Sequence, residues 1–191
     1  LLTIICSILL VIFGMSPFDS VTHALSTIST GGFSSRNEGI NEFASVYIEL
    51  TICLFMLMGS INFTLYWAIA NGKWYEIFEE GEFKYLISII TLYVLLAIIV
   101  FITFTNNNFN DSLRIALFNI ISSVTTTGYY LDMNTNSLSI PVIYILFSVL
   151  MLIGGASVST AGGIKQLRVI VFFKLTFAEL FKLSHPHGVF P

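Results

Sequence analysis

Long apolar stretches alternate with short polar ones along this chain. Three windows carry no charged residue: Leu50–Gly72 (23 residues), Tyr85–Asn110 (26) and Met133–Ile164 (32). Each exceeds the roughly 18 apolar residues that mark a helix able to cross a bilayer. A further apolar run opens the chain. The pattern predicts four spans, at about Leu1–Phe13, Phe43–Ala70, Phe83–Phe104 and Ser139–Ala178. The first starts without Met, is short for a span of about 20 residues and lacks the basic flank of a signal peptide. It reads as the tail of a longer helix, and the sequence as a piece of a longer protein. The last is too long for one unbroken crossing.

Two of the polar segments share a design. After the first span, "FDSVTHALSTIST" lies between Pro17 and Gly31. Proline suits the first position of a helix, where its missing N–H is no loss, and the length is too short to cross a membrane. After the third span, Asn110 is expected to cap "DSLRIALFNIISSV", with Asp111 in its first turn. Each short helix runs into a hydroxyl-rich glycine turn, "STISTGGFSS" (26–35) or "SVTTTGYYLD" (123–132), and then into another span. The order is span, re-entrant helix, Thr-Gly turn, span, written twice in the same orientation. Gly31 and Gly128 are its expected counterparts, 97 residues apart.

Composition sharpens the class. Of 191 residues 55% are hydrophobic and 10% charged, against about 25% charged in a soluble domain, and the mean hydropathy is +0.87. The fold class is therefore all-α integral membrane. The net charge of −3 says little, because orientation follows Lys and Arg placement. Lys73, Lys84, Lys165, Arg168, Lys174 and Lys182 fall on one side and Arg36 and Arg114 on the other. The positive-inside rule puts the C-terminus in the cytoplasm and both glycine turns outside. No nucleic-acid partner is expected. Cys6 and Cys53 lie in apolar runs without disulfide or metal spacing and read as small core residues.

Non-helical backbone at membrane depth must line water or be buried in protein. Thr-Gly turns around an axis can aim carbonyl oxygens inward and replace the water of a dehydrated cation. Glycine allows successive carbonyls to face one way, and the negative end of each short helix dipole favours cations there. The expected ion-binding residues are Ser29, Thr30, Gly31, Gly32 and Phe33 in the first turn and Thr126, Thr127, Gly128 and Tyr129 in the second. Glu38 and Asp132 follow these turns and can concentrate cations at an outer mouth. The alternative is an ordinary surface turn.

"LIGGASVSTAGGIK" (152–165) interrupts the last apolar run. Gly154, Gly155, Gly162 and Gly163 each disfavour helix by about 1 kcal/mol relative to Ala. Ser157, Ser159 and Thr160 offer competing hydrogen bonds. An unwound intramembrane loop is predicted over Gly154–Gly163, acting as a gate; close small-residue packing is the alternative. Lys165 either snorkels to the interface or faces the ion path. Glu49 is expected near the outer interface or paired with a re-entrant helix, Asn62 in a cavity or an interhelical bond, and His23 bracing a neighbour. An intramembrane serine protease using Ser157 or Ser159 lacks a base at matching depth, since His23 is outward and His185 and His187 are cytoplasmic. A non-conducting scaffold is the remaining alternative, and the chain is not expected to be an enzyme.

The segments "FDSVTHALSTISTGGFS", "SSVTTTGYYLD", "IGGASVSTAGGIKQLRV" and "AELFKLSHPHGVFP", in that order, resemble the Trk/Ktr/HKT superfamily of potassium transporters, in its TrkH-type pore subunits. The resemblance implies two tandem M1–pore helix–filter–M2 repeats of a K⁺-channel-like pore, the second and third of four. Residues 1–70 would form one repeat, 71–82 a cytoplasmic link, 83–178 the next repeat with a broken M2, and 179–191 a tail leading to a further repeat. It implies K⁺ as the transported ion, no covalent cofactor and a plasma-membrane location. It also implies a homodimer and a cytosolic nucleotide-binding regulatory subunit of the TrkA or KtrA kind. A Na⁺-permeable cation transporter of the same superfamily is the alternative.

Overall fold

Local sequence signals set where the helices start and stop. The computed structural model describes residues 1–105, 109–131 and 141–184, and the regular elements among them are helical. Helix α1 (Leu2–Ile12) is followed by α2 (Pro17–Ile28). Pro17 opens α2, and the Ser16 hydroxyl accepts from the Asp19 amide as N-cap. After a 3₁₀ turn at Gly39–Phe43 come α3 (Val46–Ser60), α4 (Phe63–Ala70) and the short α5 (Glu76–Glu79). Helices α6 (Gly81–Thr105), α7 (Phe109–Val124), α8 (Pro141–Ile153) and α9 (Gln166–Ser184) complete the order.

Two helix groups result. Helices α1, α2 and α3 pack on one another; α7 packs on α6 and α8; and α3 against α7 joins the groups. A continuous core runs through the junction, with Leu10, Ile48, Ile52, Met56, Ile120 and Val124 buried. The outward faces of α1, α6 and α9 carry exposed Ile8, Leu95 and Phe177 among many apolar side chains. Gly81–Val100 is long and apolar enough to cross a membrane, as are α3 and α4 taken together.

Several sequence expectations are corrected here. The span expected over Phe43–Ala70 is not one helix: α3 and α4 meet at 94°. Phe43 belongs to the 3₁₀ turn. The bend follows the Gly59-Ser60 pair, a common site of helix kinks, and the backbone groups it frees find partners far along the chain, described below. Asn62 lines a cavity and also makes the bond between helices that was its other expected place. Its Oδ1 caps α4 by accepting from the Thr64 amide, and its Nδ2 donates to Glu80 Oε1 at 2.8 Å. The Tyr66 hydroxyl donates to the Met58 carbonyl at 2.6 Å, closing the angle of the bend. Helix α6 begins at Gly81, inside the expected link, and α7 begins at Phe109, so Asn110 is within the helix rather than its cap. The last span is divided into α8 and α9, and α9 runs past Ala178 to Ser184. Ser139, Asp132, His185 and His187 lie outside the described residues.

Candidate functional site

The two glycine turns have the same backbone. At the end of α2 the Thr30 amide donates to the Thr27 carbonyl (3.1 Å) and the Gly31 amide to Ser26 (2.7 Å). At the end of α7 the Thr126 amide donates to Ser123 (3.0 Å) and Thr127 to Ser122 (2.9 Å). These are paired helix-terminating bonds around a left-handed residue. In both turns that residue is threonine, Thr30 at φ 53° and Thr126 at φ 56°. A β-branched side chain rarely adopts this conformation, and surrounding contacts must hold it there. Each threonine hydroxyl lies 2.7 Å from the preceding carbonyl, Ser29 or Thr125.

This geometry moves the internal correspondence by one residue. Thr30 matches Thr126, so the offset is 96 (126 − 30) rather than 97. Gly31 therefore corresponds to Thr127, and Gly32 to Gly128; the latter pair carries the positive φ, 70° and 91°. The adjacent glycines Gly31 and Gly32 hid this register in the sequence.

The turns touch. A Cβ on Gly32 would lie 1.9 Å from the Thr127 carbonyl oxygen and 2.9 Å from its carbon. Only glycine permits that approach. The Tyr129 hydroxyl donates to the Phe33 carbonyl at 3.0 Å, a second link between the turns. Ser29, Thr30, Gly31, Gly32 and Phe33 are thus brought together with Thr126, Thr127, Gly128 and Tyr129. Glu38 is exposed on the segment that follows the first turn.

Braces behind each turn come from corresponding helix positions. His23 in α2 lies 2.7 Å from the Asp19 carbonyl through Nδ1 and 2.9 Å from the Ser34 hydroxyl through Nε2, the bracing role expected of it. Its counterpart Asn119 (23 + 96) holds both backbone groups of Leu131. Its Nδ2 donates to the Leu131 carbonyl and its Oδ1 accepts from the Leu131 amide, each at 2.9 Å. Asn119 was not singled out in the sequence. The signal available was an amide between apolar neighbours of the helix, at the register of His23. At the N-terminus of α2, Asp19 accepts from Arg36 (2.7 Å), Ser35 (2.5 Å) and Ser16 (2.8 Å). The Arg36 guanidinium, followed by the two hydroxyls, holds the Asp19 carboxyl well below the usual carboxylate range. Glu49 pairs with Arg114 of α7 at 3.5 Å, without a hydrogen bond between them.

Residues 154–165 form an irregular loop between α8 and α9, two residues longer than expected. Its neck is closed by backbone pairing: Ile164, Lys165 and Gln166 amides donate to the carbonyls of Leu152 (2.9 Å), Ile153 (3.1 Å) and Gly155 (3.1 Å). Gly154 permits the crossing, since a Cβ there would meet the Gly162 oxygen at 2.1 Å. The loop reaches both glycine turns. The Thr30 hydroxyl lies 2.8 Å from the Thr160 carbonyl, and the Gly162 amide donates to the Thr126 hydroxyl at 2.6 Å.

The same loop supplies the partners for the bend between α3 and α4. The Thr160 amide donates to the Gly59 carbonyl (3.2 Å), Ala156 donates to Ser60 (3.0 Å), and the Phe63 amide donates to Val158 (2.8 Å). The Thr160 hydroxyl lies 2.8 Å from the Ile28 carbonyl at the end of α2 and 2.9 Å from Gly59. Lys165 turns back on its own loop, donating to the carbonyls of Ser159 (3.4 Å) and Ala161. Ser157 is held by Glu82 at the start of α6. Ser159 donates to the Ala156 carbonyl at 2.6 Å. Among the described residues no group of three or more His, Cys, Asp or Glu could hold a metal ion.

The chain is similar to known cation transport proteins. Residues 2–191 match the family model "TrkH: Cation transport protein". The chain is 31% identical over 193 residues to the Trk system potassium uptake protein TrkH of Salmonella typhimurium, covering 100% of this chain and 39% of that protein. It is 34% identical over 199 residues to TrkH of Vibrio parahaemolyticus, covering 99% of this chain and 39% of that protein. The crystal structure of the potassium transporter TrkH from Vibrio parahaemolyticus superposes with a TM-score of 0.90 at 32% identity, over 99% of this chain and 41% of that one. The chain thus spans about two fifths of the length of the proteins it matches.

Proposed function

This chain belongs to the TrkH family of cation transport proteins, and we propose that it supplies two walls of the ion path of a potassium uptake system. The family consists of transporters, not enzymes, so Ser157 and Ser159 have no catalytic part. Each helix–turn unit with its flanking helices acts as one M1–pore helix–M2 repeat, and α9 leads on to the next. The carbonyls of Thr30 to Phe33 and of Thr126 to Tyr129 replace the hydration shell of K⁺. The C-terminal ends of α2 and α7 add the negative ends of their dipoles. Glu38 and Asp132 draw cations to the outer mouth.

The observation that carries this reading is the direct contact of two turns of closely similar backbone, Gly32 against the Thr127 carbonyl. A pair of unrelated surface turns has no reason to share left-handed threonines, terminating bonds and mutual contact. The loop at 154–165 then gates the path, since it binds both turns at once. The remaining filter walls, a homodimer and a cytosolic nucleotide-binding regulator follow from the family resemblance. The turns face outward and the C-terminus faces the cytoplasm, the orientation that the Lys and Arg distribution favours.

The test is rescue of potassium-starved cells that lack their own uptake systems by the full-length gene product, with rubidium and sodium as competitors. Growth on low potassium, inhibited by rubidium and little by sodium, is the expected result. Growth unchanged by the gene, with the protein present in the membrane, refutes the proposal.

A further inference from the structure

The loop at 154–165 has a third attachment, separate from its bonds to the glycine turns and to the α3–α4 bend. Glu82, in the first turn of α6, is only 7% exposed. Among the described residues no lysine or arginine lies within 4.0 Å of its carboxylate. Instead the Ser157 hydroxyl donates to Oε1 at 2.5 Å and the Ser157 amide donates to Oε2 at 3.2 Å. A buried carboxylate without a direct ion pair is costly unless donors replace its water; Lys165 of the same loop acts on it only from beyond ion-pair distance. Here the loop provides those donors, so carboxylate and loop hold each other in place.

We propose that Glu82 is a positioning residue that latches the loop in the conformation seen here. The proposal rests on the reading of that loop as the gate. The other two attachments are neutral hydrogen bonds, whereas both bonds at Glu82 are charge-assisted and therefore stronger. The latch also connects the loop to the cytoplasmic side. Two residues before Glu82, Glu80 accepts from Asn62 at the start of α4. The segment joining α4 to α6 thus grips the bend with one carboxylate and the loop with the next. A shift of the start of α6 withdraws both. A cavity of about 930 Å³, lined in part by Asn62, Glu82, Ser157, Val158 and Lys174, adjoins the pair and gives the released loop room to move.

The experiment uses the full-length gene product in proteoliposomes, with Val158→Cys as a reporter. Val158 is exposed at the loop tip, while native Cys6 and Cys53 are buried. Two readouts are taken: the rate at which a water-soluble thiol reagent modifies the reporter, and rubidium flux. Losing a hydrogen bond to a charged group changes an opening equilibrium by about tenfold or more. Glu82→Ala is therefore expected to raise both readouts about tenfold, and Ser157→Ala to raise them less. Glu82→Gln, which keeps a donor and an acceptor for Ser157, stays nearest the parent. Unchanged modification in Glu82→Ala overturns the latch. Faster modification without a change in flux upholds the latch and refutes the gating role. If Glu82→Ala fails to insert, Ser157→Ala and Glu82→Gln give the same comparison on a less disturbed background.

Discussion

Gly32 and Gly128 occupy the same place in the two turns, yet alanine at each has a different cost. Both glycines have positive φ, 70° and 91°, so alanine at either is strained by about 1–2 kcal/mol. At Gly128 nothing lies within 4 Å of the added Cβ, and the strain is the whole cost. At Gly32 the Cβ would lie 1.9 Å from the Thr127 oxygen, where non-bonded atoms settle at roughly 3.5 Å. The turns must part by about 1.5 Å, and overpacking of this kind adds about 1–3 kcal/mol. The difference between the variants is then about 1–3 kcal/mol, or roughly 5- to 150-fold in the population of paired turns. Rubidium uptake by cells expressing the full-length gene product, normalised to inserted protein, measures it. Gly32→Ala is expected to abolish uptake and Gly128→Ala to reduce it. Equal uptake by the two variants would refute the claim that the turns pair across Gly32.

Three further outcomes follow from the same geometry. Thr126→Val keeps the shape of the side chain but leaves the Gly162 amide without its acceptor, at a cost of about 1–3 kcal/mol; a raised resting rubidium leak checks it, and an unaltered leak counts against loop–turn coupling. Asn119→Leu strands both backbone groups of buried Leu131, costing about 2–4 kcal/mol; lower melting temperature and a smaller rubidium-to-sodium uptake ratio are expected, and the parent ratio would show that the brace does not shape the proposed ion path. Asp19, with its carboxyl held below the usual range by Arg36, contributes stability that is complete above its unfolded pKa of about 4 and fades as pH falls through the lower folded value. The melting-temperature gap between the parent and Asp19→Asn should stay constant from about pH 8 to 5 and narrow only below about pH 4; narrowing between pH 7 and 5 contradicts the assignment.

Much of this arrangement was legible in the chain because its causes are local. Pro17 and Ser16 start α2 where they stand, the uncharged run from Tyr85 yields α6, and paired glycines unwind the chain at Gly154 and Gly162. What escaped has distant causes. The Gly59-Ser60 pair weakens the helix there, but its sharp turn depends on backbone partners near residue 160. The register of the two turns was ambiguous because Gly31 and Gly32 are neighbours, and only the left-handed threonines decide it. Glu82 was one acid among Glu76, Glu79, Glu80 and Glu82, indistinguishable until its contact with Ser157 is known. Asn119 looked like a polar interruption of an apolar helix until Leu131 supplied the other half of the pair.

The distant origin of the α3–α4 bend has a consequence for biosynthesis. In lipid, exposed peptide groups cannot be left without partners, and those freed at Gly59, Ser60 and Phe63 are met by Thr160, Ala156 and Val158. Those residues leave the ribosome roughly 100 codons later, about 5–20 s at ordinary elongation rates. Until then the nascent hairpin has a better option in one straight rod. Its elbow is therefore a late event, made when the downstream half arrives, and arrested translation intermediates ending before residue 150 should carry α3 and α4 unbent.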